Sequence, residues 1–201
     1  MRAERSGNIH VLFVCTAGRC RSPIAAALLE QRLRPGSRVT VGSGGLKFAG
    51  EPMPPIGVSL MAEYGLNLAN HVSGQVTAQT AAEAGIILGL TREHVREVVA
   101  MSPEVWPKTF TFKDFVRRAE RVGARRRHQR LADWLVSVGA DREPRHVLGA
   151  DTEDDVIDPI GRRLGVWKKV VGEIDELVTR VVPALGEPAV PDLVSRRRSR
   201  E

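Results

Sequence analysis

The chain predicts an α/β fold: a single three-layer domain with a parallel, four-stranded sheet flanked by helices. Three observations lead there. Short apolar runs alternate with longer amphipathic stretches along most of the 201 residues, the order that builds a parallel sheet covered on both faces. The first run, Ile9 to Cys15, is apolar at six of seven positions, as a strand buried on both sides requires. Hydrophobic residues make up 42% of the chain, enough for one core at this length, and no shift of composition marks a second domain.

The elements follow in order. Strands are expected at 10–14, 38–42, 85–90 and 108–112, with 146–149 as a further candidate. Helices are expected at 22–34, 54–64, 77–84, 92–100 and 165–182. Ser22 followed by Pro23 reads as an N-cap with proline at the first helical position, ahead of Ile-Ala-Ala-Ala-Leu-Leu. In the last helix Val170, Val171, Ile174, Leu177, Val178, Val181 and Val182 recur at helical spacing and form one packing face. Between the fourth strand and that helix, residues 112–145 carry two amphipathic faces, Phe112, Phe115, Val116 and Ala119, then Leu131, Trp134, Leu135 and Val138. They read as two helices inserted near 112–145. Residues 1–8 are expected to be a flexible N-terminus, 9–183 the domain, and 184–201 a disordered basic tail.

The net charge of +6 is carried by arginine, concentrated in Arg117 to Arg130 and Arg196 to Arg200. The chain has nine aromatic residues and none interleaves with these basic runs, so they read as solvated faces rather than a nucleic-acid surface. No run has the length to span a membrane, and Met1 to Asn8 holds no apolar segment of the signal-peptide kind. Two cysteines five residues apart cannot frame a small secreted scaffold. A cytoplasmic protein is expected, with its cysteines present for chemistry.

That chemistry is written between residues 15 and 23. Cys15 ends the first strand, and Arg21-Ser22-Pro23 opens the first helix. The loop Thr16, Ala17, Gly18, Arg19, Cys20 between them is placed to turn backbone N–H groups inward, and the helix N-terminus adds partial positive charge. Both favour a bound phosphoryl dianion and a cysteine thiolate. Arg21 closes the cradle with its planar fork of donors. Far downstream, Asp158-Pro159 offers a carboxyl group as acid, with Asp151, Glu153, Asp154 and Asp155 as neighbouring alternatives. For Ser22 two readings stand, a helix cap or a hydroxyl donating to the Cys15 sulfur. Cys20 also has two, a small buried side chain or a thiol that captures oxidised Cys15 as a disulfide.

The pattern Cys15-Thr-Ala-Gly-Arg-Cys20-Arg21-Ser22 with a distant Asp158-Pro159 resembles the low-molecular-weight protein tyrosine phosphatase family. Shorter pieces support it at Gly50-Glu51-Pro52, His71-Val72-Ser73, Leu90 to His94 and Lys108 to Phe112. The resemblance implies a cysteinyl-phosphate mechanism with Cys15 as nucleophile, Arg21 on the phosphoryl oxygens and Asp158 as general acid. Thr16 to Ser22 would be the phosphate-binding loop, the substrate a phosphotyrosine-containing protein, with no cofactor and no metal. The chain departs from the family in three places. Gly18 replaces the usual asparagine, with His71, Ser73 and Ser43 as candidates to brace the loop. Arg19 replaces an apolar pocket residue and is expected to repel a guanidinium leaving group, which counts against phosphoarginine. Ile160-Gly161 replaces the aromatic residues after Asp-Pro, leaving Phe48, and further off Trp134 or Trp167, to wall the pocket. A small-thiol-dependent arsenate reductase and a non-catalytic phosphate-binding module are the alternatives.

Overall fold

The computed structural model describes residues 8–149 and 152–188. At its centre β1 (Ile9–Cys15) pairs in parallel with β2 (Val39–Gly45) on one side and β3 (Ile86–Gly89) on the other, and β4 (Thr109–Thr111) completes the sheet in the order β2-β1-β3-β4. The period of two along β1 divides its side chains between two cores. Ile9, Val11, Phe13 and Cys15 enter the larger one and Leu12 and Val14 the smaller. The larger core is covered by α1 (Arg21–Arg32), α2 (Pro55–Glu63), α5 (Phe112–Val122), α6 (Leu131–Val138) and α7 (Leu164–Ala184). The smaller is covered by α3 (Ala78–Glu83) and α4 (Arg92–Met101). Helices on both faces of a parallel sheet make the three layers the sequence predicts.

The differences from the expected boundaries have local causes. β2 runs on to Gly45 because parallel pairing with β1 carries Gly42-Ser-Gly-Gly as strand, although glycine has low strand propensity. The candidate strand at 146–149 is instead a 3₁₀ turn, Pro144–Val147. Proline fixes φ at its start, and the Val147 carbonyl accepts a hydrogen bond from Arg96 at 2.7 Å rather than joining a ladder. α1 ends at Arg32, since the proline at 35 disfavours helical backbone just before it. The disordered tail expected from residue 184 does not begin there: Ala184 still belongs to α7, and Leu185 is buried with its N–H on the Val181 carbonyl at 3.0 Å, while residues 189–201, like residues 1–7 of the N-terminus, lie outside the described residues.

Residues 112–145 are built into the core. Edge-to-face ring contacts run from Phe13 of β1 to Phe112 (5.1 Å), and from Phe110 of β4 through Phe115 of α5 (5.2 Å) to Trp134 of α6 (5.8 Å). The Trp134 indole N–H donates to the Gly123 carbonyl at 3.1 Å. Trp134 and Trp167 are both buried, so neither walls a pocket. The hydrophobic periodicity that marked Trp134 was the signal of a core position.

Because Trp134 fills space between α5, α6 and β4, Trp134→Ala is expected to destabilise the whole domain by about 3–5 kcal/mol. A urea unfolding curve followed by circular dichroism checks it; a loss under about 1 kcal/mol would mean α6 is a detachable appendage.

Candidate active site

Cys15 is the last residue of β1, opposite Gly45 of β2 in the register. The chain turns through Thr16–Cys20 and enters α1 at Arg21. Gly18 has φ +63°, the left-handed conformation that glycine adopts without strain. A Cβ there would lie 2.6 Å from the Gly45 nitrogen, and one on Gly45 would lie 2.4 Å from the Ala17 carbonyl carbon. Loop and strand thus meet backbone to backbone. Leu46 and Lys47 N–H groups donate to the Thr16 carbonyl at 3.0 and 2.9 Å, and the His71 Nε2 nitrogen is 2.8 Å from the Gly18 carbonyl oxygen. With these carbonyls tied outward, the loop's N–H groups and the start of α1 are the complement for an anion. His71 supplies the bracing. Ser73 is buried and accepts from the Glu51 N–H at 3.0 Å, holding the neighbouring loop, and Ser43 pairs with Phe13 two residues short of the contact.

Ser22 does not cap the helix. α1 begins one residue earlier, with Cys20 at the cap position and no side-chain cap bond. Ser22 is buried in the first turn, its Oγ 3.1 Å from Cys15 Sγ and 3.2 Å from the Gly44 carbonyl oxygen. When Cys15 is a thiol, its S–H can donate to Oγ while the hydroxyl donates to Gly44; when it is a thiolate, the hydroxyl turns to the sulfur. Cys20 is buried as well. Desolvation chiefly, with Cys15 and Asp158 nearby, pushes its thiol up to about 12, so it stays protonated at neutral pH.

Arg21 is the hub. Its side chain is 5% exposed, yet Nη2 meets Asp158 Oδ2 at 2.7 Å and Thr16 Oγ1 at 3.3 Å, while Nη1 donates to the Val156 carbonyl at 3.1 Å. The Nε hydrogen is buried without a partner, a donor that a bound oxyanion would satisfy. Among the upstream carboxylates, Asp154 pairs with Arg92 at 3.0 Å and Arg117 at 2.6 Å, and Asp155 accepts the Arg92 N–H at 2.7 Å. Asp151 lies outside the described residues. Asp158 is the carboxylate brought onto Arg21, and the Ile160 N–H donates to its other oxygen at 3.1 Å.

Cys15, Arg21 and Asp158 share one cavity of about 300 Å³, at whose mouth stand Phe48, Ile160, Arg19 and Glu51. Arg19 does not hang free there. Its Nε donates to the Pro52 carbonyl at 3.0 Å, and Nη1 meets Glu51 at 3.2 Å. In the sequence Thr91 and His94 stand out only within the Leu90 to His94 stretch that supports the resemblance. They reach the Thr16 side of the loop and line a second cavity of about 590 Å³ beyond Asp158. The signal was a threonine three residues before a histidine directly after an apolar run, which is also an ordinary helix start.

A strand, a loop running from a cysteine to an arginine, and a helix in this order fit a cysteine-dependent phosphatase. Comparison agrees. A family model for low molecular weight phosphotyrosine protein phosphatases matches residues 10–126. The low molecular weight protein-tyrosine-phosphatase Etp of Escherichia coli K12 is 36% identical over 111 residues, 55% of this chain and 73% of its own. A protein-arginine-phosphatase of Geobacillus stearothermophilus is 30% identical over 176 residues, 87% of this chain and 95% of its own. The structure of the YwlE arginine phosphatase from that organism superposes with a TM-score of 0.66 at 28% identity, covering 89% of this chain and 93% of its own. The chain belongs to the low molecular weight phosphotyrosine protein phosphatase family, whose tyrosine phosphatases are phosphoric monoester hydrolases.

Because the loop needs bare backbone at β2, Gly45→Ala is expected to push it out of place. Affinity for inorganic phosphate by titration calorimetry should fall at least tenfold, about 1.4 kcal/mol. Unchanged affinity would show that the loop tolerates the displacement.

Proposed function

We propose that the protein dephosphorylates phosphotyrosine in protein substrates through a cysteinyl-phosphate intermediate. The observation that carries this is Asp158 sitting on Arg21 above the pocket that holds Cys15. The incoming phosphoryl dianion takes the Arg21 fork and the loop N–H groups, releasing Asp158 to face the leaving oxygen. Asp158, released from Arg21, takes a proton from solvent; the Cys15 thiolate then attacks phosphorus in line, the S–P bond forms as the P–O bond to the aryl group breaks, and Asp158 gives that proton to the leaving oxygen. In the second step Asp158, now a carboxylate, takes a proton from water as the water attacks phosphorus. Cys15 leaves as a thiolate stabilised by the Ser22 hydroxyl.

Phe48 and Ile160, each partly exposed, supply apolar surface for a tyrosine ring at the mouth. Arg19 places a cation beside it, which suits a neutral phenol better than a cationic guanidinium. A second reading is kept open by one observation: the match to the arginine phosphatase extends over 87% of this chain, and the Glu51 carboxylate lies within the same mouth. Cys20 is assigned a guard role. If Cys15 is oxidised to a sulfenic acid, the Cys20 thiol displaces water from it to give a disulfide, slowly, because that thiol is held protonated. Thiolate chemistry suits a reducing compartment, and we place the protein in the cytoplasm. No described helix is long and apolar enough to cross a membrane.

Matched peptides carrying phosphotyrosine or phosphoarginine, assayed side by side for phosphate release, decide the substrate; faster release from phosphoarginine would replace the first reading by the second. Cys15→Ser should abolish turnover while inorganic phosphate still binds, and sustained hydrolysis by that variant would remove Cys15 from the mechanism. Asp158→Asn should slow hydrolysis of esters with poor leaving groups by about 10²–10⁴-fold, with a smaller effect on p-nitrophenyl phosphate. An equal loss for both ester types would mean Asp158 acts only through Arg21.

A further inference from the structure

His94 is 2% exposed, and both ring nitrogens are engaged, Nδ1 with Thr91 Oγ1 at 2.9 Å and Nε2 with Thr16 Oγ1 at 3.0 Å. Its position is set by the sheet. A Cβ on Gly89, at the end of β3, would lie 3.2 Å from His94 Cβ, so the bare backbone there lets the start of α4 settle against the strand ends. Burial above all, then the charges of Arg21 and Lys47, push the ring down to about 3. The imidazole is therefore neutral at physiological pH and carries one N–H.

Counting hydrogens shows where that N–H belongs. Thr91 Oγ1 already accepts from the His94 backbone N–H at 3.3 Å, and Thr16 Oγ1 already accepts from Arg21 Nη2 at 3.3 Å. With the proton on Nε2, the Thr91 hydroxyl donates to Nδ1 and Nε2–H donates to Thr16. The Thr16 oxygen then has both acceptor positions filled, and its own hydrogen is left for the cavity. With the proton on Nδ1, Thr16 spends its hydrogen on Nε2, and the spare one sits at Thr91, across the ring from the loop. Thr16 lines the cavity that holds Cys15 as well as the larger one beyond Asp158. A site that must offer donors to a phosphoryl group is served by the first arrangement.

Resting on the phosphatase reading above, we propose that the Thr16 hydroxyl is a further donor to the phosphoryl group, and that His94 is the positioning residue that turns its hydrogen into the cavity. The chain Thr91, His94, Thr16, Arg21 then fixes two phosphate donors at once from the start of α4. Specificity for the ester is untouched by it; the reacting phosphorus is what it serves.

The test uses the full chain and four single variants. His94→Asn keeps an amide near the Nδ1 position for Thr91 but drops Thr16, whereas His94→Gln places an amide N–H near the Nε2 position. Thr16→Val removes the hydroxyl and Thr16→Ser restores it. kcat/KM is measured on p-nitrophenyl phosphate, and the affinity for inorganic phosphate by calorimetry. His94→Asn and Thr16→Val should each lower kcat/KM about 10- to 100-fold, while His94→Gln and Thr16→Ser stay within about threefold of wild type. Adding His94→Asn to Thr16→Val should cost less than about a further threefold, because both remove the same contact. Equal losses for His94→Asn and His94→Gln, or full additivity in the double variant, would overturn the proposal. If His94→Asn loses cooperative thermal unfolding, the Thr16→Val and Thr16→Ser pair decides alone. If wild type binds phosphate but hydrolyses no ester, the phosphatase reading fails, and the same variants are read by phosphate affinity: a tenfold loss restored by serine and glutamine upholds the donor, and no loss overturns it.

Discussion

Everything in the site depends on one close approach, the backbone of Ala17 and Gly18 lying against Gly44 and Gly45 of β2. A parallel sheet ends its strands side by side, so a loop leaving the central strand must pass over its neighbours. Side chains on those neighbours would lift it. With glycine on both surfaces the loop lies flat, its carbonyls reach Leu46, Lys47 and His71, and its other face is left to an anion. The positive φ at Gly18 belongs to the same constraint, since the turn that brings it against Gly45 is one that other residues enter only under strain.

Arg21 follows from that placement. A guanidinium with 5% of its side chain exposed must find partners, because an unpaired charge in the interior is costly. It finds them in Asp158, Thr16 and the Val156 carbonyl, so one side chain joins the start of α1, the loop after β1 and the segment that carries Asp158. The protein thereby holds Cys15 and Asp158 together across 143 residues of chain without a covalent link. The unpartnered Nε is the incomplete part of this arrangement, and it is the part an oxyanion completes.

The segment around Asp158 is held from its other side by α4 and α5. Val156 N–H donates to the Leu90 carbonyl at 2.8 Å, Asp154 is clamped by Arg92 and Arg117, and Lys113 donates to the Asp155 carbonyl at 2.7 Å. The basic residues at the start of the 112–145 segment are therefore partly structural, fixing carboxylates and carbonyls beside the site. Exposed ion pairs contribute little to stability, but Asp154, whose side chain is only 10% exposed, gains from being paired twice. α5 is anchored in turn by Phe112 and Phe115 in the core, so core packing reaches the Asp158 segment through a few hydrogen bonds.

Sequence by itself determined the parallel α/β class, the helical faces and the cysteine, loop and arginine at the end of the first strand. These rest on local regularities: periods of 2.0 and 3.6 in hydrophobicity, and a cysteine spaced from a guanidinium by one tight loop. Tertiary structure decided what depends on residues distant in the chain. For Ser22 the sequence leaves a helix cap and a partner of the Cys15 sulfur both open, and the fold decides for the second by starting the helix earlier and burying the hydroxyl beside Cys15. Trp134, on an amphipathic face, and Trp167 are both candidates to wall the pocket from the sequence, and the packing of α6 and α7 puts both inside. The strand expected at 146–149 became a 3₁₀ turn because Arg96 holds its carbonyl. His94 was invisible as part of the site for the same reason: a buried imidazole is defined by the partners of its two nitrogens, and Thr16 lies 78 residues away.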